Sequence, residues 1–86
     1  MYYKVQLVAV RKFNKNSSKF TSVKDVGRID TEELLSKGLI RVLIADFFSE
    51  NDAISAMESL REMGFGSAYI VKYQDGERYG LSLIHI

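Results

Sequence analysis

The sequence predicts an α+β protein: one antiparallel sheet of four strands with its helices on a single face. Three observations carry that expectation. Residues 3–10, YKVQLVAV, alternate with period two and are rich in β-branched side chains, which marks a strand. Residues 49–63 repeat apolar side chains at spacings of three and four, which marks a helix lying on something apolar. Between and after them lie short apolar runs bounded by turn residues, in the order β, short α, β, β, α, β.

In the first strand Tyr3, Val5, Leu7 and Ala9 share one side, and Lys4, Gln6, Val8 and Val10 the other. The polar segment that follows is punctuated by Asn and Ser. Ser17 or Ser18 is placed to cap a helix of one to two turns that carries Phe20 and Val23 inward. A second strand is expected over 26–35, weakened by the adjacent acids Glu32 and Glu33. Ser36, Lys37 and Gly38 then turn the chain into LIRVLIA, residues 39–45, with Ile40, Val42 and Ile44 on one face, so the two strands make a hairpin.

The main helix is expected from Ser49 to Met63. Ser49 stands at its N-cap with Asp52 three residues on, and Ala53, Ala56, Met57, Leu60 and Met63 form the inward face. Gly64 falls where a C-cap needs a positive φ, which glycine enters without strain, and Phe65 is then free to fold back over the last turn. A last strand follows at Ala68, Tyr69, Ile70 and Val71, with Asp75-Gly76 as the turn after it. This is the topology of ferredoxin-like, RNP-like two-layer sandwiches. Residues 1–80 are read as one domain, and 81–86, LSLIHI, as an apolar tail that either adds an edge strand or is foreign to the native chain.

At 86 residues the chain supports a single core. Its 47% apolar and 27% charged residues describe an ordinary globular composition. A net charge of +1 gives no basic excess of the kind that attracts nucleic acid or anionic membrane. Without cysteine there is no disulfide framework and no thiolate metal site. No apolar run approaches the roughly 18 residues that cross a bilayer, and the N-terminus lacks the pattern of a signal peptide. The chain reads as an excised domain whose targeting segment, if it has one, lies elsewhere.

Catalysis is not expected. The one histidine, His85, is penultimate, and no nucleophile elbow, phosphate-binding loop or H-E-x-x-H motif is present. Glu32 and Glu33 read as solvated strand-end charges, since neighbours in a strand point to opposite faces. RNA-recognition modules of this topology stack bases on central-strand aromatics, which this pattern does not supply. A small-molecule regulatory domain of the same topology is the other alternative, on fold grounds alone.

If Val5, Leu7, Ile40, Val42, Ile44, Ala68 and Ile70 face the helices, the opposite parity exposes Lys4, Gln6, Val8, Leu39, Arg41, Leu43, Tyr69, Val71 and Tyr73. Such a shallow surface mixes amide, guanidinium, aliphatic and aromatic groups. Saccharides suit it, because each ring has an apolar face and a polar rim. The plainer alternatives are that Gln6 is a solvent-facing strand residue, that Arg41 pairs with Glu32 or Glu33, and that Tyr69 belongs to the core.

Three segments in order resemble the sporulation-related repeat, or SPOR, family. YKVQLVAV at 3–10 resembles its opening strand. GLIRVLIADFFSENDAISAMESLREMGF at 38–65 resembles its central strand and capped helix. GSAYIVKYQDGERY at 66–79 resembles its final strand and turn. Ala9 stands where a serine or other small residue is common, Leu39 where some members carry an aromatic, and Ala45 where glycine is frequent. The resemblance implies a non-enzymatic module that binds peptidoglycan glycan strands stripped of stem peptides and targets its parent protein to septal or remodelled wall. It also implies a bacterial, extracytoplasmic location, no cofactor and no metal, and no contact with nucleic acid or membrane by the domain itself. Position by position it assigns ligand binding to Gln6, Leu39, Arg41 and Tyr69, all members of the exposed parity set.

Overall fold

The alternating N-terminal stretch forms β1 (Tyr2–Val10), the middle strand of a five-stranded antiparallel sheet. The computed structural model describes residues 1–14 and 16–81. After β1 come α1 (Ser18–Thr21), a 3-10 turn (Ser22–Asp25) and β2 (Arg28–Leu34). A second 3-10 turn (Leu35–Lys37) leads to β3 (Leu39–Phe47) and then α2 (Glu50–Glu62). The chain closes with β4 (Tyr69–Gln74) and β5 (Glu77–Leu81).

The α+β class is as expected; the strand count and order are not. The sheet runs β2-β3-β1-β4-β5, five strands where four were expected, with β1 in the middle. The cause is Asp75-Gly76, which does not end the sheet but folds it back on itself. Both residues take positive φ, 54° and 81°, the handedness that lets a two-residue loop match the twist of the strands it joins. Gln74 is thereby set opposite Glu77, and β5 pairs along β4 as far as Leu81 opposite Val71. Leu81, the first residue of the apolar 81–86 segment, is thus the end of this edge strand. Residues 82–86, with His85, lie outside the described residues.

Both helical segments lie on one face. Ser17 caps α1 through its hydroxyl, which accepts from the Lys19 N–H, and Phe20 and Val23 are buried beneath it. Ser49 caps α2, its Oγ accepting from the Asp52 N–H at 3.1 Å. Ala53, Ala56, Met57 and Leu60 from α2 meet Val5, Leu7, Val42, Ile44 and Ile70 from the sheet in one core. Full burial of a side chain such as Leu60 stabilises by about 1.5–3 kcal/mol.

Met63 departs from its predicted inward place and is 41% exposed. The helix has already ended there, and Phe65 occupies the core in its stead, stacked on Phe20 with ring centroids 6.0 Å apart. The join is a Schellman cap: the Phe65 N–H donates to Leu60 O and the Gly64 N–H to Arg61 O, with Gly64 at φ 109°.

Val8 also departs. Gln6 faces Leu43 but Val8 faces Val42, so Leu7 is an extra residue in β1 and the alternation inverts beyond it. Val8 and Val10 therefore pack against the helix-side core, and Ala9 comes to lie opposite Arg41.

Candidate functional site

The sheet face turned away from the helices is concave, not shallow and open. Its floor is Leu43, Val71 and Tyr73, all at most 2% exposed, with Tyr2 and Tyr69 packed against them. Lys4 and Gln6 are buried as well. Of the predicted exposed set, then, Lys4, Gln6, Leu43, Val71 and Tyr73 are buried, and Val8 is on the other side. The parity placed most of these side chains correctly but assumed a flat sheet, whereas curling brings the two edges over the middle.

Glu32 on β2 holds the curl together. Its Oε2 accepts from the Tyr73 hydroxyl and lies 3.9 Å from Lys4 Nζ. Its Oε1 accepts from Arg78 Nη2 at 3.3 Å and lies 3.6 Å from Arg41 Nη1. Arg78 Nη2 also donates to Gln6 Oε1 at 2.7 Å. Lys4 Nζ bonds Asp30 Oδ2, and sits 4.6 Å above the Tyr73 ring. Tyr2 stacks on that ring at 5.4 Å. Glu33, one residue on, is exposed and takes no part, as alternation along a strand requires.

Two protonation states follow from this packing. Burial draws the Asp30 carboxyl upward, but the hydrogen bond and charge of Lys4, the Thr31 N–H and the charge of Arg28 together hold it below the ordinary carboxylate value. Burial, and then the hydrogen bond to Glu32, push the Tyr73 hydroxyl far above its usual range, so it is a donor at any physiological pH.

The four residues nominated from the sequence share this face. Gln6 has Tyr69 directly opposite on β4 and Leu43 opposite on β3. Arg41 lies two positions along β3 from Leu43, with Ala9 on one side and Glu32 on the other. Leu39 opens β3, opposite Leu34, at the end of the trough. Gln6 and Arg41 are connected through Arg78 and Glu32, and Gln6 is a buried member of that network instead of a free surface amide. The pairing of Arg41 with Glu32, one of the plainer alternatives, is present.

The sequence reading missed Glu32, Asp30 and Arg78. The Asp-Gly pair was the available signal: as a two-residue hairpin loop it puts Arg78 opposite Tyr73. A further hollow of about 430 Å³ opens beside β2, lined by Phe13, Lys24, Gly27, Ile29, Asp30 and Thr31 among others; it shares Asp30 with the concave face, and none of the nominated residues borders it. Among the described residues no group of three or more His, Cys, Asp or Glu side chains is arranged to hold a metal ion.

Compared with known protein families, with curated proteins and with solved structures, the chain finds no match.

Proposed function

We propose that this chain is a non-enzymatic glycan-binding module. It takes peptidoglycan strands that lack stem peptides into its concave sheet face and so targets its parent protein to septal or remodelled wall, outside the cytoplasmic membrane. In this reading the fold is a ferredoxin-like sheet extended by β5. The observation that carries the proposal is the juxtaposition on one face of half-buried Tyr69, Leu39 and Arg41 beside the hydrogen-bonded polar pair Gln6 and Arg78. Tyrosine and leucine suit the apolar faces of sugar rings, and guanidinium groups suit the hydroxyl and acetamido oxygens at their rims.

The curl alters how denuded strands are selected. A strand lying in a trough bounded by the β2 and β5 edges has less room for side branches than one on a flat sheet. Peptides at successive lactyl groups would meet those raised edges. The face as described offers positioning groups without a nucleophile–base pair: its Tyr73 hydroxyl is held protonated, and its carboxylate Glu32 is held by cations. RNA has less support, since Tyr73 is buried and Tyr2 is already stacked on it.

Sedimentation with isolated sacculi, before and after an amidase removes the stem peptides, tests the proposal. Greater retention after amidase treatment, with no release of soluble muropeptides over time, is the expected result. Equal retention, or release that survives repurification, overturns it.

A further inference from the structure

Among the described residues, three cations of the concave face, Lys4, Arg41 and Arg78, converge on the single carboxylate of Glu32. Asp30 is the second carboxylate there and is held by Lys4. The cluster is thus left with one positive charge in excess, although the chain as a whole is nearly neutral.

The two arginines also have donor capacity to spare. A guanidinium offers five N–H groups in a planar fork. Arg41 meets Glu32 only at 3.6 Å, beyond hydrogen-bond distance. Arg78 engages Gln6 and Glu32 through one nitrogen, Nη2, and its Nε is buried without a hydrogen-bond partner among the described residues. A buried donor left unsatisfied is costly, and most such groups in folded proteins are bonded. Arg78 Nε itself is out of reach, but both side chains remain about a quarter exposed, so an incoming group can approach the guanidinium groups.

We infer that the concave face recognises a carboxylate on its ligand, with Arg41 and Arg78 as the receiving pair. The inference rests on the glycan-binding reading and makes its substrate class more specific. Hydrolysis of the amide that joins a stem peptide to the glycan adds water across that bond. The amine leaves with the peptide, and a carboxylate stays on the lactyl ether of the sugar. A denuded strand therefore differs from a peptide-bearing one in gaining a negative charge at each such sugar as well as in losing bulk. Charge-assisted hydrogen bonds to a guanidinium are about twice as strong as neutral ones, so this charge is a feature that the face can select. Arg78 becomes a ligand residue that no strand-parity argument had nominated, and selection for denuded glycan becomes electrostatic as well as steric.

Titrating the unaltered protein with three oligosaccharides of equal length tests this. One is denuded glycan with free lactyl carboxylates, one is the same glycan with those carboxylates reduced to alcohols, and one is a chito-oligosaccharide, which has no lactyl group. At low ionic strength the carboxylate form is expected to bind roughly tenfold more tightly than either neutral form. That ratio should narrow as salt is added, and it should narrow again in Arg41→Gln. Equal affinity for all three chains overturns the carboxylate inference and leaves the glycan-binding reading intact. Binding of none overturns both.

Discussion

Arg78 Nη2 lies 3.3 Å from Glu32 Oε1, although these residues belong to the two opposite edge strands of the sheet. Four strand spacings separate β2 from β5, which in a flat sheet would be roughly 19 Å. Two extended side chains cannot span that gap, so the contact requires the sheet to curl until its edges approach each other. The clasp is also where the face becomes polar: the same guanidinium nitrogen reaches Gln6 on the central strand. One residue thereby ties β5, β1 and β2 together, and this accounts for the burial of side chains that alternation alone would place in solvent.

Removing the clasp should loosen the sheet. Hydrogen bonds to charged groups are worth about 1.5–3 kcal/mol. Arg78 and Glu32 are each about a quarter exposed, so solvent screening reduces this to about 1–2 kcal/mol for Arg78→Met. Urea melts of wild type, Arg78→Met, Glu32→Gln and the double variant measure the coupling. Additive losses would show that the two side chains are adjacent without interacting.

Three glycines separate conformational strain from crowding. Gly64, at φ 109°, has nothing within 4 Å of where a Cβ would stand, so Gly64→Ala should cost about 1 kcal/mol through backbone strain alone. Gly27 has no such φ, but its Cβ would stand 2.7 Å from Ile44 Cγ2, in the packed core, so Gly27→Ala should cost about 1–3 kcal/mol through overpacking. Gly66 has neither constraint, and Gly66→Ala should leave the denaturation midpoint within about 0.5 kcal/mol of wild type. A Gly64→Ala midpoint matching that of Gly66→Ala would show that the α2 cap does not depend on a left-handed residue.

The two perturbed groups of the concave face predict opposite pH limits. Asp30 has a folded pKa below its ordinary 3.8, so its contribution to stability is present above that pH and is lost as pH falls through the lower folded value. Tyr73 has a folded pKa above its ordinary 10.0. Its contribution is complete below pH 10 and declines as pH rises from there toward the folded value, because the unfolded chain ionises first. Denaturant midpoints from pH 7 into the alkaline range should fall less steeply in Tyr73→Phe than in wild type. Between pH 5 and pH 2.5 the fall should be less steep in Asp30→Asn. Parallel curves would mean that these groups titrate alike in the folded and unfolded chains.

How far the molecule was legible depended on whether a feature is local. The Ser49 cap, the Ala53, Ala56, Met57 and Leu60 stripe and the Gly64-Phe65 join are all decided within one or two turns of chain, and each is present as read. The bulge at Leu7 was not legible, because Leu7, Val8, Ala9 and Val10 are all apolar and either alternation satisfies the pattern. β5 was concealed by its polar start, ERY, which shows no apolar alternation. Glu32 could not be recognised as the centre of the site, since its hydrogen-bond partners Tyr73 and Arg78 lie 41 and 46 residues away and meet it only after the sheet has curled.

Gln6 and Arg41, paired as ligand residues in the sequence reading, should now behave differently from each other. Gln6 is 8% exposed and accepts from Arg78, so Gln6→Ala leaves a cavity in the floor and removes an acceptor from the partly exposed Arg78 guanidinium. A loss of about 1–3 kcal/mol of stability is expected from the unpaired group. Arg41 makes one partly exposed ion pair at 3.6 Å, worth at most about 1 kcal/mol, so Arg41→Ala should leave the fold nearly as stable as wild type. Its deletion should instead weaken binding of denuded glycan roughly tenfold, the loss expected for one charge-assisted hydrogen bond. Amide shifts during titration with a denuded oligosaccharide report location as well as affinity. They should cluster at Tyr69, Arg41 and Arg78 in wild type and shrink in Arg41→Ala at equal ligand concentration. Shifts confined to α2 would place the ligand on the helical layer and remove the concave face as the site.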